Sequence, residues 1–349
     1  MPSSGQLSDV LNQTSAHASE GHNILIHCAA GLGRTALFAA LLAKHVLGLS
    51  GAEAIEWLAR HKPDALLTPA QIIMILQNNN NDSLSNRGGD MANGLESLPV
   101  KEQRGSRARC VLFTEGTRAE VAKRLTALVA PHAVVDPERH VWAPNGLSDP
   151  AEGKLGETPP FLSGTQREEI SNWWLAVRHP AANTPNWDII SQATIGGREG
   201  LILVEAKAHD KELTKEVGGK PFDANASQGS SSNHKGIGTC IDEASQYLSS
   251  ASGLAWHLSR DSHYQMSNRF AWSWKVTTMG LPVVLVYLGF VNADEMKDRG
   301  IPFDNHEQWK QLVEAQSQTL FPNAVWGRTW GVNGVQLIPL IRSETQAIG

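Results

Sequence analysis

Four consecutive asparagines, Asn78 to Asn81, open a polar stretch that divides this chain in two. Residues 78–106 read NNNNDSLSNRGGDMANGLESLPVKEQRGS. Such a segment has little apolar surface to bury, so it is expected to be a flexible linker. Composition shifts across it: residues 1–77 hold a single tryptophan, Trp57, and residues 107–349 hold the other ten. Charge balance does not shift, with five basic and seven acidic residues up to Asp90 against 25 and 28 beyond it. The expected organisation is a short module over 1–77, the linker over 78–106 and a larger domain over 107–349.

Hydrophobic residues make up 41% of the 349 and charged residues 19%, enough to build packed cores and too apolar for wholesale disorder. A net charge of −5 argues against nucleic-acid binding by bulk charge, though it leaves room for a local basic groove. Cys28, Cys110 and Cys240 are too few for a disulfide framework. The chain opens with no basic segment followed by an apolar run, and no apolar stretch is long enough to span a bilayer. The expectation is a reduced, cytoplasmic protein with no membrane partner.

In the first module, residues 23–27 (NILIH) read as a short buried strand, followed by a glycine-bearing loop over 28–33. Helical spacing covers 35–47, 51–61 and, opening on Thr68-Pro69, 69–77. This is the end of an α/β unit. The loop, Cys28-Ala29-Ala30-Gly31-Leu32-Gly33-Arg34-Thr35, is expected to turn successive backbone N–H groups inward at a helix start and so cradle an anion. Gly31 and Gly33 permit the close backbone approach, and Arg34 can grip two phosphate oxygens. A helix N-terminus and a guanidinium both favour the Cys28 thiolate, the attacking form. Thr35 can hydrogen-bond the sulfur. The chemistry expected is attack on a phosphate ester, a phosphocysteine intermediate and hydrolysis by water.

HCAAGLGRT resembles the HCxxGxxR[ST] signature of cysteine-dependent protein tyrosine and dual-specificity phosphatases. The resemblance covers about residues 21–77 and implies a metal-free, cofactor-free hydrolase. Its implied roles are nucleophile for Cys28, phosphate binding for residues 29–34, and water positioning for Gln71 in the following ARHKPDALLTPAQIIMIL. Its substrate would be a phosphotyrosine protein or a small phosphoester. The sequence departs from that family by lacking the aspartate general acid on an upstream loop: only 27 residues precede Cys28, and Asp9 lies in SDVLNQ, which reads as helix. The family's earlier strands are missing too. Either the natural start lies upstream, or the module is a remnant, or the second domain completes it. Loss of general-acid help costs about 10²–10⁴-fold in rate.

The larger domain alternates strands and helices. Residues 111–113 read as a strand, 118–129 and 166–177 as amphipathic helices, and 187–193 and 200–208 as strands about a turn at Gly196-Gly197. Residues 242–248 read as helix, and 281–291 (LPVVLVYLGFV) as a strand buried on both faces. The Gly/Ser/Lys-rich segment 210–239 reads as a mobile loop whose lysines could track a phosphate backbone. The fold class expected is α/β: a truncated strand–loop–helices module plus a domain with a mixed sheet flanked by helices.

In that domain Glu205 and Lys207 stand two apart on a strand and so share a face, and Asp188 stands on the neighbouring hairpin strand. Two carboxylates and an ammonium can then converge. Carboxylate oxygens suit Mg2+, making Asp188 and Glu205 its expected ligands, and Lys207 can orient or deprotonate water for attack on a phosphodiester. The D…ExK pattern resembles the PD-(D/E)xK nuclease core, although Trp187 replaces the proline. The resemblance implies an accessory acid at Glu168 or Glu169, polar support at Gln246 and Tyr247, and a nucleic-acid partner. His209, His234, His257 and His263 show no metal-ligand spacing. Trp173, Trp174, Trp272 and Trp274 read as core, and Cys110 and Cys240 as inert thiols. The leading expectation is a phosphatase. The alternatives are a metal-dependent nuclease and a catalytically inactive phosphate-binding fusion.

Overall fold

The computed structural model describes residues 95–348 except 97, 159, 179–183 and 223–224. In the first module it describes residues 10–11, 14, 17, 26, 34–47, 49, 51–62, 65, 67–68, 71–72 and 75–76. The chain separates into two units, Met1–Gly89 and Asp90–Gly349.

The first unit is built on α1 (Arg34–Leu47) and α2 (Gly51–His61). Ala36, Leu37, Ala40 and Leu41 recur at helical spacing and pack against Ala54, Leu58 and Ile75. Glu53 in the first turn of α2 and Arg60 and His61 in its last turn oppose the helix dipole. Gly51 lets α2 start hard against residues 75–76, since a Cβ there would lie 2.7 Å from Leu76 Cα. Ile26 belongs to no helix or strand. The rest of the expected strand and the loop residues Cys28 to Gly33 lie outside the described residues.

In the second unit α3 (Ser106–Phe113) and α4 (Arg118–Val129) lead into the short strands β1 (Ala133–Val134), β2 (Trp142–Ala143) and β3 (Gly153–Lys154). Then come α5 (Gly164–Trp174), β4 (Asn186–Trp187), β5 (Ile189–Ile195), β6 (Arg198–Lys207) and the short α6 (Asp210–Thr214). The chain continues through α7 (Gln228–Ser252), α8 (Tyr264–Thr278), β7 (Val283–Phe290), α9 (His306–Ser317), β8 (Trp330–Val332) and β9 (Val335–Glu344). The chain is an α/β protein. Its principal sheet runs β1-β5-β6-β7-β9-β8, with β2 also on β5. β5 and β6 form an antiparallel hairpin, β6–β7 and β7–β9 are parallel, and β8 returns antiparallel on β9.

Helices cover both faces of this sheet. α3 and α4 pack on the face carrying Ile202, Val204, Val284 and Val286. Helices α5, α7, α8 and α9 pack on the face carrying Leu201, Leu203, Val283 and Leu285. Burial on both sides is why β7 tolerates an unbroken apolar run, and every one of its residues is buried. Thr117 with Glu120 and Ser163 with Gln166 form capping boxes at the starts of α4 and α5. Trp174, Trp187, Trp272 and Trp309 are buried in the core. No helix among the described residues is long and apolar enough to cross a membrane.

Two sequence expectations are corrected. Residues 111–113 complete α3 and are not a strand, because three apolar residues fit a buried helix turn as well as a strand. The segment 210–239 carries α6 and the first half of α7 and is not simply a loop. There, Ser227 caps the helix, and burial of Ile237, Cys240, Ile241, Ala244 and Leu248 along one stripe outweighs weak glycine and serine propensities. α7 therefore extends well beyond the expected 242–248. Within the stretch read as linker, Leu95 and Leu98 are buried against Ala108, Val111 and Leu112, and Arg104 pairs with Asp298 at 2.7 Å.

Candidate functional site

The candidate centre forms where β5 and β6 begin to part. The hairpin register pairs Ile189 with Val204, so its continuation sets Asp188 opposite Glu205. On the other side, β3 pairs with β4 through Gly153 and Trp187, and that register sets Glu152 opposite Asp188. The chain bends at Asp188, leaving the principal sheet for the β3–β4 ribbon, and side chains directly opposite in an antiparallel pair are neighbours. Asp188, Glu205 and Lys207, read from the sequence as one cluster, are brought together.

Asp188 is partly buried, and its Oδ2 accepts the backbone N–H of Ala206 at 2.8 Å. That N–H lies between Glu205 and Lys207 in sequence and fixes the carboxylate against β6. Glu205 and Lys207 are buried. Glu205 Oε1 accepts from Lys207 Nζ and from Gln265 Nε2, and its Oε2 accepts from Arg269 Nε at 2.5 Å. The Arg269 guanidinium lies 4.6 Å from the centre of the Trp187 ring, and its NH1 donates to Asn268 Oδ1 at 3.1 Å.

The two carboxylates are driven apart in acidity. Burial raises Glu205, but the Arg269 and Lys207 cations outweigh it and hold the carboxyl below its ordinary value. Burial and the facing Glu205 charge push Asp188 up to about 8, with Lys207 opposing and Glu152 adding to the rise. Metal-free Asp188 is then mostly protonated at neutral pH. Two carboxylates are a minimal oxygen set through which a largely hydrated Mg2+ could be held. Glu205 Oε2 has a lone pair left, and Asp188 Oδ1 makes no hydrogen bond among the described residues. Among the described residues no three His, Cys, Asp or Glu side chains gather closely enough to form a metal cage.

Gln265 and Arg269 are partners the sequence reading missed. They stand four apart on α8 and so share one helix face, and that spacing was the available signal. Glu152 was missed as well: its Oε2 accepts from Asn186 Nδ2 at 2.7 Å, and Arg107 Nε lies 3.5 Å from its Oε1. Glu169 pairs instead with Lys275 at 2.8 Å and is half exposed. Tyr247 donates to Asn333 at 2.6 Å, so neither residue reaches the cluster through these contacts. Burial raises the Cys110 thiol far above its ordinary value and pushes Cys240 up to about 12, as expected of inert thiols.

In the first unit, α1 begins at Arg34, directly after the expected phosphate loop. The Thr35 hydroxyl is buried and has no hydrogen-bond partner among the described residues. Gln71 is buried and caps its own helix: its Oε1 accepts the Thr68 N–H at 2.9 Å, and its N–H donates to Thr68 Oγ1 at 3.4 Å. Cys28, Ala29, Ala30, Gly31, Leu32 and Gly33, and the Arg34 side chain, lie outside what is described.

The displaced Asp188 proton has a measurable consequence. Its ordinary value is 3.8 and its folded value about 8. Between these, the folded protein keeps a proton that the unfolded chain has released, so stability falls as pH rises. Asp188→Asn is expected to remove this contribution, which is no steeper than about 1.4 kcal/mol per pH unit. Urea unfolding of both proteins between about pH 5 and pH 8 checks it, and parallel stability curves would refute it.

Comparison with protein-family models, with curated proteins and with solved structures yields no match.

Proposed function

We propose that the second unit is a metal-dependent phosphodiesterase acting on nucleic acid. The observation that carries this reading is the convergence of Asp188, Glu205 and Lys207 at the bend between β4 and β5. Asp188 and Glu205 would hold Mg2+, which when bound supplies Lewis acidity toward a phosphodiester and lowers the pKa of a bound water. To hold the cation Asp188 would have to be ionised, and its bond from the Ala206 N–H would keep the carboxylate aimed. Glu205 is held rigid by three donors on two elements, β6 and α8. Lys207 pairs with Glu205; as an ammonium it would orient the attacking water, and only after giving up its own proton to solvent could the neutral amine take the water's. The direct test is cleavage of single- and double-stranded nucleic acid with and without Mg2+. Activity that ignores chelation, or no cleavage by the folded protein, would sink the reading.

A second reading concerns the first unit and is supported by the sequence HCAAGLGRT, whose Arg34 and Thr35 lie in the first turn of α1, the Thr35 hydroxyl having no hydrogen-bond partner among the described residues. It is a cysteine-dependent phosphoester hydrolysis in which Cys28 attacks and residues 29–34 bind the phosphate. The full chain is then expected to hydrolyse an aryl phosphate without metal and to lose this on Cys28→Ser. Equal rates in the two proteins would assign the activity elsewhere.

A further inference from the structure

Beside the centre, residues 217–222 run along residues 260–264 as a strap. The Lys220 N–H donates to the Arg260 carbonyl at 2.7 Å, and the His263 and Tyr264 N–H groups donate to the carbonyls of Val217 and Gly218 at 3.0 and 3.2 Å. Gly219 makes the fit possible, since a Cβ there would lie 2.3 Å from the Asp261 carbonyl oxygen. The strap is thus fixed by backbone contacts and carries its side chains in set positions. Lys220 Nζ lies 5.0 Å from the centre of the Tyr264 ring. Phe222 is 56% exposed and rests against His234, ring centres 4.9 Å apart. The His234 ring nitrogen Nε2 is 3.2 Å from the Lys220 carbonyl oxygen.

Among the described residues the Lys220 charge has no counter-ion. Arg260 is matched by both oxygens of Asp261 at 2.8 and 2.9 Å. Lys220 forms no ion pair among the described residues, and burial alone lowers its pKa. A half-desolvated ammonium with no anion opposite it among the described residues, two positions from an exposed phenyl ring, is the pair of features that binds a phosphate and a base of one strand. The strap is also tied to the centre. Tyr264, under Lys220, is followed in the first turn of α8 by Gln265, which donates to Glu205.

We infer that Lys220 and Phe222 form a binding platform for single-stranded nucleic acid, leading the strand toward the Glu205–Lys207 centre. Lys220 takes a backbone phosphate and Phe222 stacks a base. The inference rests on the phosphodiesterase reading for the direction of the strand and not for the binding itself.

The test is fluorescence anisotropy of the full chain in a chelator, so that no probe is cut. The probes are labelled single-stranded DNA, single-stranded RNA of the same sequence, and the DNA duplex. Phe222 is exposed, so Phe222→Ala leaves the fold intact; single-strand binding is expected to weaken about 5- to 150-fold, and Phe222→Trp to restore it. Lys220→Gln is expected to reduce the slope of log affinity against log salt by about 0.7. The DNA and RNA arms report which sugar the platform accepts. The inference is overturned if the wild type binds no single strand, if it binds only duplex, or if Phe222→Ala and Lys220→Gln bind as the wild type does. The two readings fail separately. Lost binding in Phe222→Ala without any Mg2+-dependent cleavage by the wild type leaves the platform standing and removes the phosphodiesterase. Cleavage that persists with unchanged binding in Phe222→Ala does the reverse.

Discussion

Replacing Lys207 by alanine is expected to lower Mg2+-dependent cleavage by about 10²–10⁴-fold, the usual contribution of a positioned proton-transfer group. The protein should remain folded, because Glu205 keeps Gln265 and Arg269 as partners. Lys207→Arg separates two roles for the side chain. Arginine preserves the charge beside Glu205 but stays protonated, so it can orient a water without accepting its proton. If Lys207 is the base, arginine rescues little of the rate; if it only balances charge, arginine rescues most of it. Single-turnover rates measured at saturating Mg2+ distinguish these outcomes. A Lys207→Ala rate within about twofold of wild type would remove Lys207 from the chemistry.

The second large effect is on stability. Arg269→Met takes the strongest counter-charge away from buried Glu205 and the cation from above the Trp187 ring. Breaking one side of a buried pair costs about 3–5 kcal/mol, and the lower end applies because Lys207 remains on Glu205. For a unit of this size, that corresponds to a fall in Tm of about 6–12 °C. Salt should change the deficit little, since a buried pair is poorly screened. Thermal unfolding monitored by tryptophan fluorescence suits the question, because Trp187 and Trp272 lie in the same core cluster. A fall below about 2 °C would mean that Glu205 draws its stabilisation from Lys207 and Gln265 alone.

Parts of the site were legible because they are local. Glu205 and Lys207 share a strand face by simple alternation, and the Gly196-Gly197 turn brings residue 188 back across from them. Their partners were hidden for a physical reason. Gln265 and Arg269 come from α8, some sixty residues along the chain, and no local periodicity states which helix face meets which strand. Glu169 illustrates the converse. It has the right chemistry on the preceding helix, but the packing of α5 turns it toward Lys275. Glu152 comes close to Asp188 only because β3 pairs with β4 in one particular register.

The same division runs through the fold. Local signals were enough for the elements governed by nearest-neighbour energies. The capped, amphipathic 118–129 is a helix, the hairpin about Gly196-Gly197 forms, and the apolar 281–291 contains a strand buried throughout. Tertiary structure decided what local preference left balanced. It drew residues 228–239 into α7, where burying one stripe of side chains overrides Gly and Ser. It absorbed residues 111–113 into α3. It also set two carboxylates in one low-dielectric place, Glu205 held anionic by Arg269 and Lys207 and Asp188 held protonated by burial and the facing charge. That difference in acidity belongs to neither residue alone, since it arises only when the register of β5 on β6 and the docking of α8 are both in place.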